Sequence, residues 1–122
     1  MKSKANKKLI HSEKECKQSL AAVGDALYVI GGKWKLRVII ALSGGNKRFN
    51  ELQRIITGIS ARVLSNELKE LELNGFVKRI VYDEKPVAVE YELTDYSDSL
   101  GDVLLSLSTW GAKHRDKIRK ER

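Results

Sequence analysis

Arg62, Ser65, Asn66 and Lys69 fall within about 100° of arc on one side of a helix at 3.6 residues per turn. Leu64, Leu68 and Leu71 gather on the other side and face inward. The polar set has a definite chemistry. Arg can donate two hydrogen bonds to guanine O6 and N7, Asn can pair with adenine in the same bidentate way, and Ser or Lys can reach bases or phosphates. These residue types suit the major groove of a duplex. Any amphipathic surface helix also turns polar residues outward, so the stripe alone leaves a plain solvated face as the rival reading. Glu67, Glu70 and Glu72 bring acid close to the stripe. They confine the DNA-suited part to the first two turns, from Ser60 to about Lys69.

The helix carrying the stripe has well-marked ends, Ser60 and Asn74. Ser60 is a good N-cap, and Ile59 before it can staple onto Leu64. Gly75 stands where a C′ glycine belongs, with Phe76 placed to pack back on Leu71. Ser60 and Ala61 are small enough for close approach to a nucleic-acid backbone, and the free amides at the helix start favour a phosphate.

The flanking elements follow from period and punctuation. Leu20, Val23, Leu27 and Ile30 mark a helix around 19–30, and Lys33 to Leu42 a second, stopped by Gly44-Gly45. Asn50 to Ile56 reads as a third, short helix with Asn50 as N-cap and Gln53 three residues on. After Phe76 the period changes to two. Val77, Arg79, Val81 and then Val87, Val89, Tyr91, Leu93 predict two strands joined by an exposed tip, Asp83 to Pro86. A last helix is expected from Asp95 to about Ile118. This order predicts a mainly α fold with a small β-hairpin: a winged helix-turn-helix with the helix-turn-helix at 50–74, the wing at 77–93 and a C-terminal helix at 95–118. A flexible basic tail at 1–10 precedes a single domain, 11–122. Within it Arg48, Arg54 and Lys85, with Lys47, are candidate phosphate contacts, which position a protein on DNA without reading sequence.

The chain has 122 residues, 42% hydrophobic and 32% charged, enough for one core. Net charge is +7, but residues 1–18 and 113–122 each carry six cations against two acids, leaving 19–112 at −1. Charge is therefore weak support for DNA binding, and local pattern must decide. No run nears the roughly 18 apolar residues of a membrane span, and the Lys-rich start lacks a secretory h-region. A cytoplasmic protein without a membrane association is expected. Nothing has the spacing of a zinc site, a P-loop or a Ser-His-Asp set, so neither an enzyme, a metal nor a cofactor is expected. His11 and His114 read as ordinary histidines.

Ile30-Gly-Gly-Lys-Trp34, Arg48-Phe-Asn-Glu-Leu52, Gly58-Ile-Ser60, Val63-Leu64, Leu68-Lys-Glu-Leu71, Asn74-Gly75, Val89-Glu-Tyr91 and Trp110-Gly111 together resemble the HxlR-type helix-turn-helix regulators. The resemblance runs from about Cys16 to His114. It implies a MarR-like winged helix acting as a homodimer on double-stranded, roughly palindromic operator DNA, with the helix matching Ser60–Asn74 in the major groove. Where similar wings carry two prolines and an arginine before Val-Glu-Tyr, this chain has Pro86-Val87-Ala88, leaving Lys85 as the main cation of the wing.

Cys16 aligns with a cysteine that some similar regulators use to sense thiol-reactive stress, so an oxidant or small-molecule effector is a candidate. Its rival reading is a small buried hydrophobe near an interface. Lys14 and Lys17 favour a thiolate while Glu13 and Glu15 oppose it. Leu100, Val103, Leu104, Leu107 and Trp110 share one helical stripe, and with Leu20 they are candidate dimer contacts; part of that stripe is also expected to complete the core. The competing function is a winged-helix protein-interaction module that does not bind an operator.

Overall fold

A computed structural model describes residues 12–121; the basic tail at 1–10 and His11 lie outside the described residues. The chain divides into two compact units, one ending at Gly32 and one beginning at Lys33.

The first unit is one helix, α1 (Glu13–Ile30). It starts before the apolar stripe that predicted it, because Ser12 caps it: the Ser12 hydroxyl accepts the Glu15 amide at 3.1 Å. Glu13 and Glu15 in the first turn suit the positive end of the helix dipole. Periodicity is blind to such polar opening turns. Leu20, Val23 and Leu27 form the expected stripe, yet all are more than half exposed. Cys16 lies in the first turns of α1 and is half-buried. Lys17 is 3.5 Å from Glu13, so its charge has a partner other than the thiol.

The second unit builds its core from α2 (Lys35–Leu42), α3 (Phe49–Ile55) and α4 (Ala61–Leu73). Val38, Ile39 and Leu42 of α2, Leu52 of α3, and Leu64, Leu68 and Leu71 of α4 are buried together with Phe76 and Val77. Each such burial stabilises by roughly 1.5–3 kcal/mol. Beyond α2, Gly45 has φ +133° and its amide donates to Leu42 C=O at 3.1 Å. The glycine pair thus stops the helix as expected.

α3 corrects the cap assignment. Its N-cap is Arg48, in extended backbone, and the Glu51 carboxylate accepts the Arg48 amide at 2.7 Å. Asn50 is already inside the first turn, and Gln53 is not part of a cap. Glu51 wins because an ionised carboxylate is the stronger acceptor for an orphan amide.

β1 (Val77–Tyr82) and β2 (Ala88–Leu93) pair antiparallel, from Val77 opposite Leu93 to Tyr82 opposite Ala88. The second strand begins one residue later than its alternation suggested, and Val87 lies in the exposed tip. Val81 is also exposed, although it shares the phase of buried Val77. Ala88, paired with Tyr82 at the tip end and on the other face of the hairpin, is buried, so period 2 does not keep a single inside face along the wing. Lys47 adds a third backbone segment by bridging Tyr91 of β2.

The final segment is not one uniform helix. Asp95–Leu100 is a 3-10 turn, and α5 runs Gly101–Lys120. Ser97 and Ser99 hydroxyls donate to the carbonyls of Thr94 and Tyr96, a local competition that serines offer to α-helical bonding. Tyr96 stacks on Phe76 at 5.0 Å between ring centroids. Leu100 is buried and Leu104 half-buried, whereas Val103, Leu107 and Trp110 are exposed. The stripe therefore completes the core only at its start. No helix among the described residues is long and apolar enough to cross a membrane. The architecture is a winged helix-turn-helix, mainly α with one β-hairpin.

Candidate nucleic-acid interface

The ends of α4 determine which side of it faces outward. The Ser60 hydroxyl accepts the Val63 amide at 3.1 Å, and Ile59 and Leu64 are both buried, as a hydrophobic staple requires. At the other end Gly75 adopts φ +84°. The Phe76 amide then donates to Leu71 C=O at 2.9 Å and the Gly75 amide to Glu72 C=O at 3.1 Å, which is a Schellman closure. Asn74 adds a side-chain bond to Glu70 C=O at 3.0 Å. With both ends closed and Leu64, Leu68 and Leu71 at most 2% exposed, the rotation of α4 about its axis is set by packing.

That rotation exposes Arg62, Asn66 and Lys69, together with Ser60 and Ala61 at the helix start. Ser65 is half-buried and sits at the edge of the stripe rather than within it. Leu73, 85% exposed, continues the stripe toward the C-terminus.

The acids beside the stripe are dealt with by a residue the sequence reading passed over. Lys35, the first residue of α2, places Nζ 2.7 Å from Glu67 Oε1 and 2.7 Å from Glu70 Oε1. Its side chain is 12% exposed. Burial alone pulls the Lys35 pKa down, but hydrogen bonds and charge attraction from the two carboxylates outweigh it, so the ammonium lies above the ordinary lysine value. Glu72 is left on the opposite flank without an ion pair among the described residues. Nothing in linear spacing links position 35 to 67 and 70, so only the packing of α2 against α4 could disclose the pairing.

The candidate phosphate contacts lie on elements other than α4. Arg48 and Arg54 are exposed at opposite ends of α3, and Lys85 is exposed in the hairpin tip. Lys47 differs: its Nζ donates to Gly45 C=O at 3.1 Å, and its backbone is paired with Tyr91. Two further exposed cations gather at Trp34. Lys33 Nζ lies 4.8 Å and Arg37 Cζ 5.4 Å from the Trp34 ring centroid, so one indole holds two cations by cation–π attraction. The Gly-Gly-Lys-Trp run signalled this place but not the role of Arg37, one turn later. Lys78 is 3.5 Å from Glu92, and the Tyr82 hydroxyl donates to Glu90 at 3.0 Å, so these polar groups are paired within the wing.

A shallow cleft of about 280 Å³ is lined by Arg37, Ile40, Ala41, Ile55, Ile56 and Thr57. Among the described residues no cluster of three or more His, Cys, Asp or Glu side chains is arranged to hold a metal. Cys16 and Leu20 belong to the first unit, while all the candidate DNA contacts belong to the second.

The HxlR-like helix-turn-helix family model matches residues 29–119, which includes α2 to α4, the whole wing and nearly all of α5. The chain belongs to the HxlR family. It is 42% identical over 104 residues to the HTH-type transcriptional regulator YtcD of Bacillus subtilis, covering 85% of this chain and 82% of that protein. The crystal structure of YtcD superposes with a TM-score of 0.74 at 45% identity, covering 77% of this chain and 96% of that one. The reduced form of the redox regulator HypR superposes with a TM-score of 0.75 at 41% identity, covering 81% and 98%. Reduced YodB from B. subtilis gives 0.65 at 34% identity, covering 83% and 91%. This HxlR protein is a transcriptional regulator of the helix-turn-helix type.

Proposed function

We propose that this HxlR regulator acts as a homodimer on a roughly palindromic operator, reading bases in the major groove with Arg62 and Asn66 of α4 while Lys69 on the same stripe reaches a phosphate. One observation carries the reading: a helix fixed at both ends buries Leu64, Leu68 and Leu71 and presents Arg62, Asn66 and Lys69 outward. Ser65 contributes from the edge of the stripe. Ser60 and Ala61 allow close approach of the DNA backbone, while Arg48, Arg54 and Lys85 contact phosphates. Dimerisation rests on the large apolar residues that each unit leaves uncovered, Leu20, Val23 and Leu27 on α1 and Val103, Leu107 and Trp110 on α5. A two-fold dimer matches half-sites about one turn of DNA, or a multiple, apart.

The test begins with duplexes selected by the protein from a randomised pool. The combined change Arg62→Ala and Asn66→Ala weakens binding to a selected duplex by about tenfold or more, since each bidentate contact contributes roughly 1–3 kcal/mol of base discrimination. Unchanged binding by this variant, or a wild-type protein that selects no duplex, favours the protein-interaction module instead. A monomer in sedimentation at micromolar concentration counts against the dimer.

A redox response through Cys16 is the second part of the reading, motivated by its half-burial and by the names of HypR and YodB as redox-related neighbours. As the chain has a single cysteine, a disulfide formed by Cys16 must join two chains or attach a small thiol. Cys16 labels with maleimide, and diamide changes duplex binding. Unchanged binding by fully modified protein removes the sensor.

A further inference from the structure

We infer that Lys35 is a positioning residue for DNA reading, holding Glu67 and Glu70 on the flank of α4 turned toward α2 and so keeping their charge off the Arg62–Asn66–Lys69 stripe. The inference rests on the proposed reading of DNA by that stripe.

Three observations converge on it. The first is angular. At about 100° per residue, Arg62, Asn66 and Lys69 cluster within about 60° of one another, while Glu67 and Glu70 lie on one flank of that cluster and the buried leucines on the far side. Glu70 neighbours Asn66 at a spacing of four and therefore adjoins the reading stripe directly. The second is contact. One ammonium meets both carboxylates at 2.7 Å, even though the Glu70 side chain is 61% exposed and free to extend toward solvent. The third is the location of the cation. Lys35 opens α2, where the positive end of the helix dipole disfavours an ammonium. A lysine at that position gains little from its own helix, and the two carboxylates of α4 are its described ionic partners.

The consequence is electrostatic. Without the ammonium, two carboxylates on the flank of α4 would approach the phosphates that the stripe must reach. Repulsion between exposed charges of this kind is screened over about 10 Å at 0.1 M salt. Lys35 neutralises one of the two charges and holds the other beside it. No base contact is assigned to Lys35.

The experiment compares binding to a duplex selected by the wild-type protein, and to poly(dI-dC), across a salt series. Lys35→Met weakens binding to both by about tenfold at low salt, with the deficit shrinking as salt rises. Adding Glu67→Gln and Glu70→Gln to Lys35→Met restores wild-type affinity. A helix-support role alone predicts a loss that tracks the folded fraction by circular dichroism and is not recovered by the glutamines. Should Lys35→Met fail to fold, Lys35→Gln carries the comparison, because its amide can bond one carboxylate without neutralising it. Folded Lys35 variants that bind as wild type at all salts overturn the inference, as does a loss the glutamines leave in place. If Arg62→Ala with Asn66→Ala is itself without effect, the reading of the stripe falls first; if that pair weakens binding while Lys35→Met does not, Lys35 alone is wrongly placed.

Discussion

Lys47 and Tyr91 exchange both backbone hydrogen bonds, the Lys47 amide donating to Tyr91 C=O at 3.1 Å and the Tyr91 amide to Lys47 C=O at 2.8 Å. This bridge fastens the segment just before α3 to the second strand of the wing. Arg48, the next residue and the N-cap of α3, thereby takes its position from the sheet as well as from its helix.

Proline at position 47 removes the donor of one of these bonds and leaves Tyr91 C=O short of a partner. Lys47→Pro is expected to destabilise the fold by about 1–3 kcal/mol in chemical denaturation. Lys47→Ala, which keeps the amide, stays within about 0.5 kcal/mol of wild type. Equal effects from the two substitutions would show that the side chain, and not the bridge, matters.

The two ends of α4 make separate contributions. Ser60→Ala is expected to lower stability by about 1 kcal/mol, while Ser60→Asp, which keeps an acceptor for the Val63 amide, changes it little. Gly75→Ala meets no steric obstacle to its added methyl but places an L-residue at φ +84°, at a further cost of about 1 kcal/mol. Thermal or urea melts of the three variants check both numbers, and a stabilised Gly75→Ala protein would contradict the Schellman closure.

Lys69 differs from Arg62 and Asn66 in carrying a point charge without a planar pair of donors. Lys69→Ala should weaken binding to selected and non-selected duplexes alike and reduce the slope of log K against log salt by about 1. A change in the preferred sequence with an unaltered slope would reassign Lys69 from phosphate to base.

The Lys35 ion pairs make a pH-dependent contribution whose sign follows from the raised lysine pKa. The folded protein holds the Lys35 proton more tightly than the unfolded chain does. The stabilisation is therefore complete below the ordinary lysine value of 10.5 and is lost as pH climbs through the higher folded value. The stability difference between wild type and Lys35→Met should stay level from about pH 7 to about pH 9 and fall above about pH 10.5. A difference that grows with alkalinity contradicts the pairing.

Element order, the limits of α4 and its outward stripe were legible in the sequence because each depends on neighbours within a few residues. A hydroxyl capping an amide three positions on, a glycine at positive φ after the last turn, and leucines at helical spacing are local facts. The cap of α3 was misread at the same scale, because Asn50 and Gln53 suit the cap positions while the acceptor that closes the turn is the carboxylate of Glu51.

Tertiary structure decided what depends on distant partners. Glu67 and Glu70 look, in sequence, like an acidic obstacle to DNA; folded, they lie on Lys35, more than thirty residues earlier. Val81 has the spacing of a buried strand residue and is exposed, whereas Ala88 on the opposite face of the hairpin is buried. The Lys47–Tyr91 bridge likewise joins residues more than forty positions apart in the chain. The sequence by itself determined where α4 begins and ends and which side chains it turns outward. Packing decided which charges beside those side chains remain free, since electrostatic pairing depends on distance in space and not along the chain.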